Sequence, residues 1–212
     1  MKKKAVFILL LALLSTSVWA QNEKPLTEVE SQKVISTLTQ AASSMQTLQC
    51  RFVQEKTSSM LAEPSIAKGT MHYAAPDRMR WEYTEPYAFA LVVNGEKIVK
   101  VTDGKAEALD AKSGRMYQGM VCLIMGSASG KKLFDPSVFD VVLYDEGTCW
   151  RADMTPKRRD MKRMFSQLVF RFDKKTKGIN RVEFKDASGD VTSIRFEDIK
   201  LNEAIGEKVF AE

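Results

Sequence analysis

The chain has 212 residues, of which 44% are hydrophobic and 28% are charged, and its formal net charge is +5. This composition is typical of a globular protein with a hydrophobic core and excludes a wholly disordered chain. The single histidine, His72, excludes the metal sites that are built from several histidines, including the HExxH helix of zinc hydrolases.

Residues 1–20 have the features of a secretory signal peptide. Three lysines at positions 2–4 precede an apolar run over residues 5–14, and Ala20 stands before the predicted cleavage site. The run is too short for a bilayer, which needs about 20 residues. We therefore expect export to the periplasm and a single mature domain over residues 21–212. Loss of three lysines and no acid lowers the net charge from +5 to +2.

The mature chain contains three cysteines, Cys50, Cys122 and Cys149. An exported chain can form disulfides, and the odd number leaves at least one thiol free in a monomer. The sequence leaves two alternatives open, which are a bridge between Cys122 and Cys149 and three small buried thiols.

The first predicted element is an amphipathic helix over residues 27–48. A capping box, in which Thr27 caps the first turn and Glu30 reaches back, predicts where it begins. Apolar residues then recur at helical spacing and predict one buried face. These residues are Val34, Ile35, Leu38, Ala41, Ala42, Met45 and Leu48.

From Cys50 onward the apolar pattern changes to a period of two, which indicates β-strands. In the clearest strand, Met79, Trp81 and Tyr83 share one face and charged residues occupy the other. Asn94-Gly95 predicts a two-residue hairpin turn. We predict about nine to eleven antiparallel strands in all. They include residues 50–54, 71–73, 78–83, 89–93, 97–102, 139–145, 148–154, 165–172, 180–185 and 192–198.

Residues 113–136 interrupt this pattern. Glycines flank a run that is apolar on every side, at residues 120–125. It is either a buried strand or a short helix that lies on an apolar surface, and we favour the helix. A curled antiparallel sheet that is covered by helices, rather than by a second sheet, would leave a cavity for an apolar ligand.

The sequence contains no catalytic or nucleotide-binding motif such as GxSxG, a P-loop or CxxC, so we expect no enzyme activity, no cofactor and no metal. His72, in mid-strand, is expected on the rim or surface. The basic stretch at residues 157–163 is either a solvated hairpin, which we favour, or a surface for anionic lipid or an anionic partner. Nucleic acid is a poor candidate for an exported protein.

Several short stretches, in order, resemble the outer-membrane lipoprotein carrier protein family, LolA. They are Phe52-Val53-Gln54, Gly69-Thr70-Met71, Pro76-Asp77-Arg78-Met79-Arg80-Trp81-Glu82-Tyr83, Pro86, Asn94-Gly95, Met154-Thr155-Pro156-Lys157 and Val182-Glu183-Phe184 with Gly189 to Phe196. The resemblance covers nearly all of the mature chain. It implies an incomplete antiparallel β-barrel of about eleven strands around a hydrophobic cavity, covered by an N-terminal helix and short helices from a central insertion.

The resemblance also implies a function and a site. The protein would be a monomeric periplasmic carrier of acylated lipoproteins, loaded by an inner-membrane ABC-type release complex and unloaded at an outer-membrane receptor or membrane. The acyl-chain cavity would be formed by Phe52, Met71, Tyr73, Met79, Trp81, Tyr83 and Leu91. The lid would be formed by Met120, Val121, Leu123, Ile124 and Met125.

One position departs from the family. Members carry an arginine that helps to hold the lid closed, and here Ala75 stands at that position, before Pro76. This departure keeps open a carrier of the same fold with another cargo, such as a glycolipid. A lipoprotein-binding envelope sensor and a hydrolase are less favoured, because the chain offers no second domain and no nucleophile–base pair.

Overall fold

The fold was analysed in a computed structural model, which describes residues 24–95, 97–109 and 133–211. Its helices are α1 (Glu28–Ser43), α2 (Arg159–Met164) and a 3₁₀ turn (Glu207–Phe210). Its strands are β1 (Thr47–Thr57), β2 (Ser65–Ala74), β3 (Arg78–Glu85), β4 (Phe89–Asn94), β5 (Lys97–Thr102), β6 (Lys105–Ala108), β7 (Phe139–Asp145), β8 (Cys149–Pro156), β9 (Phe165–Asp173), β10 (Ile179–Asp186) and β11 (Val191–Leu201).

All eleven strands form one antiparallel sheet, in the order β6-β5-β4-β3-β2-β1-β11-β10-β9-β8-β7. Strands β6 and β7 are its edges, so the sheet is open. The predicted mainly β fold, an incomplete antiparallel barrel with few helices, is therefore confirmed. The predicted lid residues lie outside the described residues. They are Met120, Val121, Leu123, Ile124 and Met125.

Strand β1 lies in the middle of the sheet, between β2 and β11. Phe52 of β1 is opposite Gly69 on one side and opposite Phe196 on the other. The first and last strands of the chain are therefore neighbours, and their pairing joins the two halves of the sheet.

The predicted alternation in β3 is confirmed. Met79, Trp81 and Tyr83 are buried on the concave face, whereas Arg80 and Glu82 form an ion pair of 3.0 Å on the outer face. A period of two places these groups on opposite sides of a strand, and burial of the apolar side stabilises the fold by about 1.5–3 kcal/mol for each large side chain.

The predicted capping box is also confirmed at the start of α1. The amide of Thr27 donates to the Glu30 carboxylate at 2.9 Å, and the amide of Glu30 donates to the Thr27 hydroxyl. The prediction that the helix continues to Leu48 is wrong, because α1 ends at Ser43 and Leu48 pairs with Tyr73 in the sheet. Leu48, near the beginning of β1, happens to continue the helical spacing of the apolar residues before it. The spacing alone therefore extends the predicted helix too far.

Helix α1 lies over the concave face. The amide of Leu26, just before the helix, donates to the carbonyl of Leu143 in β7, and the C-terminus of α1 leads directly into β1. Val34 and Leu38 are the helix residues that are fully buried, and they join the core of the concave face. The helix therefore covers the sheet with a small apolar contact.

The residues after β11 cross the outer face of the sheet. Glu207 pairs with Arg78 at 2.5 Å, and the Arg78 guanidinium lies 5.0 Å from the centre of the Phe210 ring. Arg80 donates to the carbonyl of Ala211 at 3.3 Å. Both arginines are thus held on the outer face and point away from the concave one.

The stretch at residues 157–163 is not a simple hairpin, because it contains the six-residue helix α2. Its charged side chains are exposed, as predicted, while Met161 packs against the core. Across the described ranges, no helix combines the length and the hydropathy that a membrane crossing requires.

Candidate functional site

The concave face brings together all seven residues that the sequence predicted for the cavity. Each is at most 8% exposed, and most are at 3% or below. They are Phe52, Met71, Tyr73, Met79, Trp81, Tyr83 and Leu91. Alternation along four neighbouring strands, β1 to β4, directs these side chains to the same side of the sheet.

Aromatic rings fill the middle of this face. Phe52 stacks on Trp81 with ring centroids 4.1 Å apart, and its edge meets the ring of Tyr83 at 5.3 Å. Tyr83 stacks in turn on Phe89 at 4.7 Å. Offset and edge-to-face pairs of this kind add about 0.5–1.5 kcal/mol each to the burial of the rings. This part of the face is packed rather than hollow.

Two polar atoms lie within the aromatic cluster. The Tyr83 hydroxyl donates to Oε1 of Gln54 at 3.0 Å. The indole Nε1 of Trp81 is buried and has no acceptor within the part of the chain that the structure describes. An unsatisfied buried donor costs about 1–3 kcal/mol, so an acceptor supplied by a ligand would stabilise the complex.

A cavity of about 180 Å³ lies beside this cluster, between the C-terminal half of α1 and strands β1, β9, β10 and β11. Of the seven predicted residues, Met71 lines it. The sequence prediction missed the other apolar lining residues. They are Leu38, Ala41, Ala42, Met45, Leu48, Cys50, Phe172, Ile179, Val182, Phe196, Ile199 and Leu201.

Those on α1 were available from the sequence, because Leu38, Ala41, Ala42 and Met45 form the predicted apolar helix face. The strand residues could be assigned to a face by their period of two. Neither pattern shows where along the face the packing is incomplete.

Polar groups surround one end of the cavity. Ser44, Thr176, Lys177 and Asn202 belong to the lining, and the Lys177 ammonium lies 4.9 Å from the centre of the Trp150 ring. The wall is apolar and the polar groups lie at one end, which is the arrangement expected for an amphiphilic ligand that buries its apolar part.

The thiol of Cys50 belongs to the apolar wall. Burial raises its pKa from 9.0 to about 12, although a hydrogen bond from the Met71 backbone acts in the opposite direction. The thiol is therefore protonated at physiological pH and acts as a small apolar group. Within residues 24–95, 97–109 and 133–211, no three His, Cys, Asp or Glu side chains are placed to hold a metal ion.

The cavity is smaller than the pockets that bind whole ligands, which measure about 300–1,000 Å³. At 180 Å³ it accommodates only a short apolar segment. A long acyl chain would fit only after the surrounding elements move apart. Helix α1 covers the cavity and contributes two buried side chains, Val34 and Leu38, to the core.

Comparison with known proteins gives one family. The family described as "Outer membrane lipoprotein carrier protein LolA" matches residues 43–211. A protein of this name from Methylobacillus flagellatus is 28% identical over 145 residues, which are 68% of this chain and 66%, just under two thirds, of that relative. Another, from Pseudomonas fluorescens, is 27% identical over 209 residues, covering 98% of this chain and 93% of the relative.

Solved structures share the fold. A crystal structure of MucB matches with a TM-score of 0.56 at 14% identity and covers 87% of this chain, which spans 63% of MucB. The lipoprotein LppX of Mycobacterium tuberculosis matches with a TM-score of 0.50 at 11% identity, covering 85% of this chain and 99% of LppX. At such identities the similarity concerns the fold alone.

Proposed function

Because the chain belongs to the outer membrane lipoprotein carrier protein LolA family, we propose that it is a periplasmic carrier for the acyl chains of lipoproteins between the inner and outer membranes. One observation supports this most directly. The concave face of the sheet is continuously apolar, and in the described ranges the element that crosses it is the helix α1 rather than a second sheet.

The energies of opening and of binding are compatible with this role. Displacing α1 removes Val34 and Leu38 from the core, at a cost of roughly 3–6 kcal/mol for the helix side of the contact, while the incoming acyl chain covers the sheet side. Burial of one acyl chain of ~16 carbons is favourable by about 12 kcal/mol. A single chain therefore more than offsets the opening of the helix. The opening cost lowers the net affinity, so that the cargo can be released.

The unsatisfied indole of Trp81 supports a cargo that carries carbonyl groups. Acyl chains of lipoproteins are attached through esters and an amide, and each offers a carbonyl acceptor. A carbonyl beside Nε1 of Trp81 would remove the cost of the buried donor. The acyl chains would then occupy the space beside Met71 that α1 covers.

The remaining assignments follow from the family. We propose that Met120, Val121, Leu123, Ile124 and Met125 form the lid. The carrier acts as a monomer without covalent chemistry, so the energy for loading comes from an inner-membrane ABC-type release complex. An outer-membrane receptor or the membrane itself accepts the cargo.

The function is tested by native mass spectrometry of the protein purified from the periplasm. A complex with triacylated lipoprotein is the expected species. Protein that carries only free lipid, under conditions in which a known family member from the same cells carries lipoprotein, would contradict the proposal.

A second candidate, a carrier of a different lipid such as a glycolipid, is favoured by one observation. The family arginine is Ala75 in this chain. Arg78 pairs with Glu207 and Arg80 donates to the Ala211 carbonyl, both on the outer face, so neither takes the place of that arginine. Without that arginine, the closing of the lid would depend on other contacts, and the carrier would admit a different cargo. The mass of the bound species separates the two candidates.

A further inference from the structure

Four of the seven large apolar side chains that are exposed in the described part of the chain lie at one end of the sheet. Met60 is 92% exposed, Leu61 46%, Ile66 55% and Tyr87 77%. They belong to the β1–β2 and β3–β4 hairpins. Single exposed apolar residues are common, but a concentration of them at one end of a molecule indicates a contact surface.

The topology places a basic segment at the same end. Every neighbouring pair of strands is antiparallel, so β3, β1 and β8, which occupy alternating positions in the sheet, run in the same direction. The loops that follow these strands therefore project from one end. They are residues 86–88, 58–64 and 157–164, and we name this end of the molecule the loop end.

The third of these loops carries cations that are free to act on a partner. Within the described ranges, Arg159, Lys162 and Arg163 form no ion pair, and their side chains are exposed on α2. Most nearby carboxylates are already paired with other bases. The pairs are Asp140 with Lys157, Asp160 with Arg158, Glu85 with Lys68 and Asp190 with Lys56. Glu63 is the exposed acid of the first hairpin.

We infer that the loop end docks on the surface of an anionic phospholipid bilayer, with Tyr87, Met60 and Leu61 inserted among the headgroups and the cations of α2 above them. Tyrosine favours this interface because its ring is apolar and its hydroxyl remains hydrated. Each basic residue close to anionic lipid increases the partition of the protein onto the bilayer about fivefold. Projecting apolar tips suit a deformable lipid surface better than the concave pockets of a protein partner.

The location of the loop end is compatible with transport. The small cavity lies at the opposite end, near the C-terminus of α1 and the β9–β10 turn at residues 174–178. Docking therefore leaves the polar end of the cavity uncovered. The inference depends on the loops and not on the identity of the cargo.

The test is cosedimentation of the mature chain with vesicles of phosphatidylglycerol and phosphatidylcholine, and with vesicles of phosphatidylcholine alone. We expect binding to the anionic vesicles that weakens in high salt, and little binding to the neutral ones. Combined substitution Arg159→Gln, Lys162→Gln and Arg163→Gln should lower the partition about a hundredfold. Met60→Ser with Tyr87→Ser should lower it about tenfold or more.

A matched control removes three exposed lysines elsewhere, as Lys33→Gln, Lys175→Gln and Lys208→Gln, and should leave the partition within about twofold. All substituted side chains are exposed, so circular dichroism and thermal unfolding should be unchanged. Three results would overturn the inference. They are equal binding to both kinds of vesicle, an equal loss in the control, and binding that appears only when a membrane protein is added to the vesicles.

Discussion

The ring of Phe52 stacks on the indole of Trp81 across an intervening strand, with ring centroids 4.1 Å apart. The two residues belong to β1 and β3, and on the intervening strand β2 Gly69 is opposite Phe52 on one side and opposite Tyr83 on the other. A Cβ atom at Gly69 would collide with the carbonyl of Glu82 and would lie 2.6 Å from Cζ of Phe52. The stack therefore depends on the absence of a side chain at this position.

Gly69→Ala should destabilise the fold by about 1–3 kcal/mol, the usual cost of forcing extra volume into a packed core. Denaturant unfolding followed by tryptophan fluorescence measures it. Gly206→Ala is the matched control, since a Cβ there meets nothing within 4 Å and its φ is −65°. Equal stabilities of the two variants would show that the ring stack tolerates a methyl group.

Ala42→Phe should reduce cargo binding, because the new ring fills the 180 Å³ cavity beneath α1 and strengthens the contact of the helix with the sheet. We expect an affinity for a fluorescent acyl probe that is lower by about tenfold or more, with unchanged or increased stability. Gln40→Phe adds the same ring to the exposed side of α1 and should leave binding unchanged. Unaltered affinity in Ala42→Phe would place the acyl site elsewhere.

Much of the sheet follows directly from the sequence. The alternation of Met79, Trp81 and Tyr83 with charged residues gives both the strand and its buried face. The turn predicted at Asn94-Gly95 is shifted by one position, because Asn94 still pairs with Lys97 and Gly95, with a φ of +61°, is the first residue after β4. These are local properties, because a period of two and a positive φ depend on the residues themselves and their immediate neighbours.

The position of the cavity is not a local property. The residues first expected to line it, such as Trp81 and Leu91, are fully packed, while the space lies between α1 and Phe196. Which apolar residues lack neighbours depends on the curvature of eleven strands and on the path of α1. Leu48 illustrates a related ambiguity, because the end of a helix pattern and the beginning of a strand overlap there.

Trp81→Phe should change selectivity among ligands. It retains an aromatic ring beside Phe52 but removes the indole N–H, which has no acceptor in the described ranges. We expect the affinity for a diacylglycerol ester to fall by about fivefold or more relative to that for a pure hydrocarbon of equal length, since a buried hydrogen bond contributes about 1 kcal/mol. The ratio of the two affinities is insensitive to any general loss of packing. An unchanged ratio would exclude the indole as a donor to the cargo.

The Cys50 thiol should be chemically inert in the empty protein. A pKa raised from 9.0 to about 12 lowers the thiolate fraction near neutral pH about a thousandfold. In a variant with Cys122→Ser and Cys149→Ser, alkylation of Cys50 should be slower by at least that factor than in denaturant. Alkylation at the rate of the unfolded chain would show that the cavity is open to water.

The same thiol should make stability depend on alkaline pH. The unfolded chain loses the Cys50 proton above pH 9.0, whereas the folded chain keeps it until about pH 12. Folding is therefore destabilised as pH rises through this window, by about 1.4 kcal/mol per pH unit for this group. Cys50→Ala removes the titration, so the stability difference between this variant and the parent should change with pH above 9.0 and be constant below it.

The pairing of β1 with β11 has a consequence for the timing of folding. β1 is made early during synthesis and β11 almost last, yet they are hydrogen-bonded neighbours in the centre of the sheet. The growing chain on the ribosome therefore lacks β11, the strand that joins the two halves of the sheet. Contacts between residues so distant in sequence also form slowly. In the proposed periplasmic carrier, this delay favours passage through an export channel before the sheet is complete.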